Sequence, residues 1–160
     1  MVHRDLKAAP TLALPPELSV CPVRRLAGDP DDGVPLEQAV AAAKRADPRS
    51  KSSAAEFADY LRSLPFTVRL FAAVDAAGAV RATSGCFTFG RAASVFFVNT
   101  DSDWRRRGIG QAMTALALRA ARDSGARHAS LDATGAGARI YERLGFEAVS
   151  EATRFTPATT

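Results

Sequence analysis

A run of three arginines directly before a Gly-x-Gly segment is the strongest chemical signal in the chain. It lies in the segment 103–112, Asp-Trp-Arg-Arg-Arg-Gly-Ile-Gly-Gln-Ala, at the start of a predicted helix. Backbone N–H groups at a helix start have no acceptor within the helix, and the helix dipole adds about half a positive charge there. The glycines let a ligand come close to the backbone. The segment predicts a pyrophosphate-binding loop; the alternative is a basic helix start with a solvated face.

Two familiar kinds of phosphate loop do not match this segment. A Walker A loop needs Gly-Lys followed by Ser or Thr, and the chain contains no Gly-Lys dipeptide. The dinucleotide pattern G-x-G-x-x-G fails at its third glycine, where Met113 stands, and the strands before the loop are predicted to be antiparallel. The loop is therefore not typical of mononucleotide or nicotinamide binding.

The cysteines and histidines show no metal-ligand spacing. Cys21 and Cys86 are far apart in the sequence, and the two histidines are His3 and His128. We predict that both cysteines are buried, reduced thiols and that the protein binds no metal.

Length and composition are those of one soluble domain. The 160 residues are 47% hydrophobic and 24% charged, which is ordinary for a globular protein and argues against disorder. The net charge of +4 is mild. Arginines outside residues 105–107 are scattered and rarely interleaved with aromatic residues, so we expect a small anionic ligand and no nucleic acid. The first residues lack a signal-peptide layout, and we expect a cytoplasmic monomer or homodimer that binds no membrane.

The elements that must position the loop follow from the hydrophobic spacing. Residues 1–17 contain three prolines and no clear period, so they are predicted to form an extended, partly mobile arm, and residues 18–160 a single domain. A short strand is predicted at 19–24, and Pro22 assigns it to a sheet edge. A loop is predicted at 28–33 from its Gly, Asp and Pro content.

Two helices are predicted before the central sheet. Apolar spacing of four and three indicates the first, from Leu36 to Ala43. After a polar break at 47–52, Ser53 and Glu56 have the spacing of a capping box for the second helix. Pro65 is predicted to stop that helix.

From residue 67 onward the pattern predicts a three-strand antiparallel meander, then a helical crossover to a parallel strand. The predicted elements are strands 67–74, 80–89 and 94–99, a helix from Ile109 to about Ser124–Gly125, a strand 128–133, a short helix 138–144, and strands 146–150 and 153–156. The fold class is therefore α+β, with a mixed, mostly antiparallel sheet flanked by helices and a central βαβ unit.

Two motifs in this order of elements resemble those of one family. Arg105-x-x-Gly108-x-Gly110 matches the Q/R-x-x-G-x-G/A signature of the GNAT superfamily of acyl-CoA-dependent N-acyltransferases. Downstream, Tyr141-Glu-Arg-Leu-Gly-Phe146 is similar to the family's Y-x-x-L-G-F segment. The resemblance covers about residues 67–156.

The resemblance implies acetyl-CoA as co-substrate, without a metal. It implies that backbone amides from Arg106 to Gln111 hold the pyrophosphate and that a splayed strand pairs with the pantetheine arm. Tyr141 takes the place of a tyrosine that protonates the leaving thiolate, and a phenol suits this because its pKa of about 10 is near a thiol's, about 8.5. The implied coenzyme-binding residues are Val98, Asn99, Thr100, Arg105, Arg106, Arg107, Gly108, Ile109, Gly110, Gln111 and Thr134.

This sequence departs from the family pattern at two positions. Thr134 stands where many members have an asparagine that contacts the coenzyme, and Ser94 stands where some carry a glutamate base. Asp132 and Asp101 are candidate substitutes for the base, and the alternative for each is a surface or capping aspartate.

The resemblance also implies an acceptor pocket and a reaction. The pocket would lie around Phe57, Tyr60, Phe87 and Phe89, for which core packing is the alternative. The implied function is direct transfer of an acetyl group to a primary amine of a small molecule or peptide. The alternative is a non-catalytic acyl-CoA-binding or regulatory module on the same fold.

Overall fold

The structure is a computed structural model that describes residues 1–26, 29, 32–47, 52–64, 67–151 and 153. Four predicted features fall partly or wholly outside this range: the loop 28–33, the break 47–52, the helix stop at Pro65, and the strand 153–156.

The described residues form a seven-stranded sheet in the order β1-β7-β6-β5-β4-β2-β3. Its strands are β1 (Val2–His3), β2 (Ser19–Arg24), β3 (Val34–Pro35), β4 (Thr67–Val74), β5 (Val80–Phe89), β6 (Ala92–Thr100) and β7 (His128–Ser130). The pairs β2–β4, β4–β5, β5–β6 and β1–β7 are antiparallel, whereas β6–β7 and the short β2–β3 pair are parallel. The predicted mixed, mostly antiparallel sheet is confirmed.

Four α-helices flank this sheet in the described part of the chain. They are α1 (Leu36–Ala46), α2 (Ala54–Ser63), α3 (Ile109–Asp123) and α4 (Gly135–Glu142). Helices α1 and α2 pack on one face, in a core that includes Val40 and Leu61, and α3 packs on the other, in a core that includes Leu118 and Leu144. No described helix combines the length and apolar composition that spanning a bilayer requires.

The capping box predicted for α2 is confirmed. Ser53 Oγ accepts a hydrogen bond from Glu56 N at 3.1 Å, and Ser53 N donates to Glu56 Oε2 at 2.7 Å. These bonds satisfy two backbone N–H groups at the helix start, so the chain enters α2 in a fixed direction. Leu61 on its apolar face is fully buried.

The central βαβ unit is formed by β6, α3 and β7. The predicted C-cap of α3 is present, since Ser124 N donates to Ala120 O at 3.1 Å and Gly125 has a positive φ of 94°. Strand β7 is shorter than predicted and ends at Ser130. The next residue, Leu131, instead exchanges backbone hydrogen bonds with Met1, at 3.0 and 2.8 Å.

The N-terminal segment differs from the predicted arm. Val2 and His3 form β1 against β7, and Leu6 is fully buried beneath α3, in a 3-10 turn (Leu6–Ala8). A strand of two residues has no period, so its pairing partner decides its structure and not its own pattern. The same contact corrects the strand predicted at 146–150, which shrinks to a single bridge between Glu147 and Val2.

The short helix after β7 begins earlier than predicted. Helix α4 covers 135–142 instead of 138–144, because Gly137 N and Ala138 N both donate to Thr134 O, at 2.8 and 3.0 Å. Thr134 therefore occupies the N-cap position of α4.

Candidate active site

Strand β6 separates from β7 halfway along its length. The two strands pair at Ala92, Ala93 and Ser94, and no pairing is recorded beyond Ser94 although β6 continues to Thr100. From Val95 onward, the described part of β6 is paired on its β5 side alone. The predicted pantetheine-binding residues, 98–100, lie on this open stretch. A strand edge of this kind presents backbone N–H and C=O groups to a ligand.

A β-bulge in the open stretch was not predicted. Gly85 pairs with Phe96 and Thr83 with Asn99, so two residues of β6, Phe97 and Val98, oppose Ser84 alone. Phe97 has a φ of 59°, which is rare for a bulky residue. In the buried interior, Thr83 Oγ1 donates to Phe97 O at 2.8 Å and thereby holds the bulge.

The bulge places two neighbouring side chains, those of Phe96 and Phe97, on the same face of the sheet. Phe97 packs in the core beneath α1 and α2, and Val98 packs against the core beneath α3 that also contacts Tyr141. The consecutive aromatics Phe96 and Phe97 break the strand alternation, and this break is the one sequence signal that indicated a bulge.

The predicted pyrophosphate loop leaves β6 through a 3-10 turn (Ser102–Trp104). Asp101 caps this turn, since its side chain accepts from Ser102 N at 3.0 Å, and it also faces Arg81 at 3.3 Å. Both of these contacts favour the capping interpretation of Asp101 over that of a catalytic base. Asp132, the other candidate base, is exposed.

The loop backbone then turns through two left-handed residues. Arg106 has a φ of 59° and Gly108 a φ of 75°. Residues of this kind make successive N–H groups converge, as in anion-binding nests. The first backbone hydrogen bond of α3 runs from Ala112 N to Gly108 O, so the N–H groups of residues 109–111 have no acceptor within the helix. A Cβ built at Gly108 would meet no atom within 4 Å, so the space in front of the loop is open.

The three arginines of the loop have different contacts. Arg105 donates from Nε to Thr100 O at 3.2 Å and from Nη2 to Ala46 O at 2.7 Å, which ties the loop to the end of α1. Arg107 pairs with Glu17 at 2.7 Å. Arg106 is exposed, and no hydrogen bond or ion pair joins it to the described residues. Arg106 is thus the one of the three whose guanidinium contacts no partner among the described residues.

The ring of Trp104 is the contact surface for two arginine side chains at the loop. The guanidinium of Arg107 lies 4.6 Å from the centre of its ring, and that of Arg81 lies 5.6 Å away. Arg81 in turn pairs with Asp75 at 2.8 Å. These contacts fix the loop to β5 and to the N-terminal segment through stacking and charge.

Tyr141 lies on α4 with its ring half-buried. The ring contacts Phe146 edge-on, with 6.1 Å between centroids, and burial raises the pKa of its phenol above the ordinary value. No described residue forms a hydrogen bond with its hydroxyl. A Cβ at Gly137 would come within 3.1 Å of Tyr141 Cε2, so the glycine makes room for the ring. The hydroxyl is therefore protonated at neutral pH, and none of its hydrogen-bonding capacity is used by the described residues.

The remaining predicted site residues have less defined surroundings. Thr134 is exposed, and its hydroxyl makes no capping hydrogen bond. Ser94 is half-buried on β6. Cys86 is buried, and burial raises the pKa of its thiol to about 11, so it is no nucleophile at neutral pH. The described residues hold no cluster of three or more His, Cys, Asp or Glu that could bind a metal ion.

The fold is similar to that of solved acetyltransferase structures. A GCN5-related N-acetyltransferase from Sphaerobacter thermophilus is 20% identical with a TM-score of 0.69, over 90% of this chain and 46% of that chain. A GCN5-related N-acetyltransferase from Kribbella flavida is 22% identical with a TM-score of 0.64, over 91% of this chain and 52% of that chain. A predicted acetyltransferase with acetyl-CoA from Clostridium acetobutylicum is 16% identical with a TM-score of 0.67, over 87% of this chain and 96% of that chain.

These likenesses establish the fold, and the chain spans about half the length of the first two proteins. A search of curated proteins gave no match. Residues 67–148, slightly more than half of the chain, match the family model of the acetyltransferase (GNAT) domain. The matched segment contains the open half of β6, the loop before α3, and Tyr141. The chain belongs to the GNAT acetyltransferase family.

Proposed function

We propose that the chain is an acetyl-CoA-dependent N-acetyltransferase that transfers the acetyl group to a primary amine of a small molecule or peptide by direct attack. The observation that carries this proposal is the separation of β6 from β7 after Ser94, directly before the arginine–glycine loop. An open strand edge that leads into an anion-binding helix start suits a ligand with an amide-containing arm and a pyrophosphate.

The residues present fit acetyl-CoA. The N–H groups of the loop from Arg106 to Gln111 would bind the pyrophosphate, with the free guanidinium of Arg106 beside it. The backbone of residues 98–100 would pair with the amides of the pantetheine arm, and Thr134 has an uncommitted hydroxyl at the start of α4. Acetyl-CoA supplies a thioester carbonyl that is open to attack by an amine.

Tyr141 would act as the general acid. A phenol with a raised pKa stays protonated through neutral pH, and can pass its proton to the departing thiolate. The phenolate then regains a proton from solvent. Gly137 keeps the ring in its observed position because any side chain there would push against it.

The amine must be neutral when its nitrogen attacks the carbonyl carbon. Ser94 cannot remove a proton unaided, and Asp101 is engaged in a cap and an ion pair. The proton released by the amine would therefore pass to water or to the exposed carboxylate of Asp132. Both cysteines are outside this scheme, so no covalent enzyme intermediate is proposed.

The absence of a carboxylate at position 94 favours a second candidate, a non-catalytic acyl-CoA-binding module. The two candidates share the coenzyme site and differ in the chemistry that follows. Calorimetric binding of CoA with no transfer to any amine would select the module.

The test of the proposed function is an acetyl-CoA consumption screen over amines, amino acids, polyamines and peptide N-termini, read by the release of free thiol. The expected result is amine-dependent thiol release that requires Tyr141. Thiol release that does not depend on the amine, or none with any amine, contradicts the proposal.

A further inference from the structure

A cavity of about 210 Å³ lies between α3 and the N-terminal segment 12–18. We call it the α3 cavity. Its described lining residues are all apolar except Arg119, and they come from that segment, from β2 and from the first turns of α3. Leu12 and Val20, which line it, are 40% and 45% exposed, so the cavity is open to solvent on one side.

The walls of the α3 cavity are held in place by the protein itself. Leu18 is buried in a cluster with Met113 of α3 and Ala73 of β4, which fixes the segment at its β2 end. Next to it, Glu17 pairs with Arg107 at 2.7 Å, which joins the segment to the loop before α3. A cavity that exists before any ligand arrives is typical of small-molecule sites.

Arg119 is the one charged side chain among the described lining residues. It is half-buried, and no hydrogen bond, ion pair or ring contact joins its guanidinium to the described residues. The acids on the elements that form the cavity have other partners, since Glu17 pairs with Arg107 and Asp123 with Arg122, at 3.1 Å. A guanidinium offers two parallel N–H donors to a carboxylate, so an unpaired one beside an apolar cavity suits that group.

The volume and the charge of the α3 cavity restrict the ligand further. An apolar cavity of about 150 Å³ takes up benzene, so the larger volume here accommodates a six-membered ring with a short side chain. A single guanidinium neutralises one negative charge. A second negative charge, as on a phosphate, would lie unpaired against apolar side chains at a cost in free energy.

The α3 cavity is separate from the candidate coenzyme site. Its residues Leu18 and Met113 belong to the core cluster that includes Ala73, whereas Val98 and Tyr141 pack against a different cluster, beneath α3 and next to α4. None of its described lining residues is among those expected to bind the coenzyme. A ligand in the cavity and a coenzyme at the loop can therefore be bound at the same time.

We propose that the α3 cavity is a binding site for a small apolar monocarboxylate, such as an arylalkanoate, and that Arg119 binds its carboxylate. The inference goes beyond the proposed function and does not depend on it, because it needs only the cavity and the unpaired guanidinium.

Calorimetric titration of the full chain tests the site, with phenylpropanoate and phenylpropanol as probes. The two share a skeleton and differ in the charge of one end. The titrations are run with saturating CoA, which occupies the anion-binding loop. We expect the Kd of the carboxylate to be lower than that of the alcohol by about tenfold or more, because the alcohol cannot form the charge-assisted pair.

Two pairs of variants locate the bound carboxylate. Arg119→Met is expected to raise its Kd about tenfold or more, whereas Arg119→Lys keeps the charge without the planar fork and should raise it less. The control is Arg91→Met, which removes an exposed arginine in the turn between β5 and β6 and should leave the Kd unchanged.

The second pair tests the cavity by filling it. Val20→Trp adds bulk from the exposed edge strand and should abolish binding, since strands accept aromatic residues and the core is not entered. Val149→Trp adds the same bulk at a valine that is 51% exposed and does not line the cavity, and it should bind the carboxylate normally. The Tm of each variant shows whether it is folded.

Four results would overturn the inference. They are no binding of phenylpropanoate, equal affinity for the alcohol, an unchanged Kd in Arg119→Met or Val20→Trp, and displacement of the carboxylate by CoA, which would assign it to the coenzyme loop. If the protein does not bind CoA, the same titrations without it test the α3 cavity alone. Failure of the proposed function is thus distinguishable from failure of this site.

Discussion

At Gly108, the addition of a single methyl group should weaken coenzyme binding by more than its effect on stability explains. Its φ of 75° is left-handed, and a Cβ there would meet no protein atom within 4 Å. Gly108→Ala therefore adds no clash within the protein. It costs about 1–2 kcal/mol of backbone strain and places a methyl group in the open space in front of the loop.

Gly78 provides a control with the same geometry. It has a φ of 77°, it also has no atom within 4 Å of a built Cβ, and it lies in the turn between β4 and β5. The strain in Gly78→Ala should match that in Gly108→Ala. In a domain of this size, a loss of about 1 kcal/mol lowers the Tm by about 2–4 °C.

The assay combines thermal unfolding with calorimetric titration of CoA. Both variants should lose a similar amount of Tm, whereas Gly108→Ala alone should raise the Kd of CoA by about tenfold or more, since the phosphate must approach the backbone there. Equal CoA affinity in the two variants would refute the assignment of the space before Gly108 to the pyrophosphate.

Three further predictions concern the acid and the arginines. Tyr141→Phe should lower kcat by about 100-fold or more and leave the Kd of CoA unchanged. Because burial raises the pKa of the phenol, the kcat of the wild-type protein should fall only as pH rises above the ordinary phenol value of about 10. A fall in kcat already at pH 8 contradicts the role of Tyr141 as general acid. Gly137→Ala should raise the stability of α4 by up to about 1 kcal/mol, because alanine favours a helix more than glycine does. It should nevertheless lower kcat, because the added methyl group displaces the Tyr141 ring. Unfolding and rate measurements on one preparation check both effects. Glu17→Gln removes an exposed negative charge that pairs with Arg107. It should therefore tighten CoA binding about threefold at low salt and have no effect at high salt. Weaker CoA binding at low salt would show instead that the ion pair supports the site.

Much of the fold could be predicted because its central elements carry strong local patterns. Strands β4 and β5 have the predicted bounds, 67–74 and 80–89, and the capping box and the C-cap fix the ends of α2 and α3 through bonds between near neighbours. The parallel β6–β7 pair followed from the helical crossover. Features that depend on residues only a few positions apart in the sequence can thus be predicted without a structure.

The differences come from contacts between distant parts of the chain. Strand β1 exists because Val2 reaches β7 and Glu147, which no local pattern indicates. The bulge at Phe97 depends on the register of β6 against β5 and on the hydroxyl of Thr83. The different contacts of Arg105, Arg106 and Arg107 likewise depend on a carbonyl of α1 and on Glu17. The sequence motif places the three arginines at the loop, and tertiary contacts decide which of them is free.

The most direct test of the central claim is mass-spectrometric detection of the acetylated amine, with free CoA quantified in the same reaction. The proposed N-acetyltransferase activity predicts that an accepted primary amine gains one acetyl group for each CoA released, and that Tyr141→Phe slows both equally. Tight CoA binding with no acetylated product from any primary amine would contradict it.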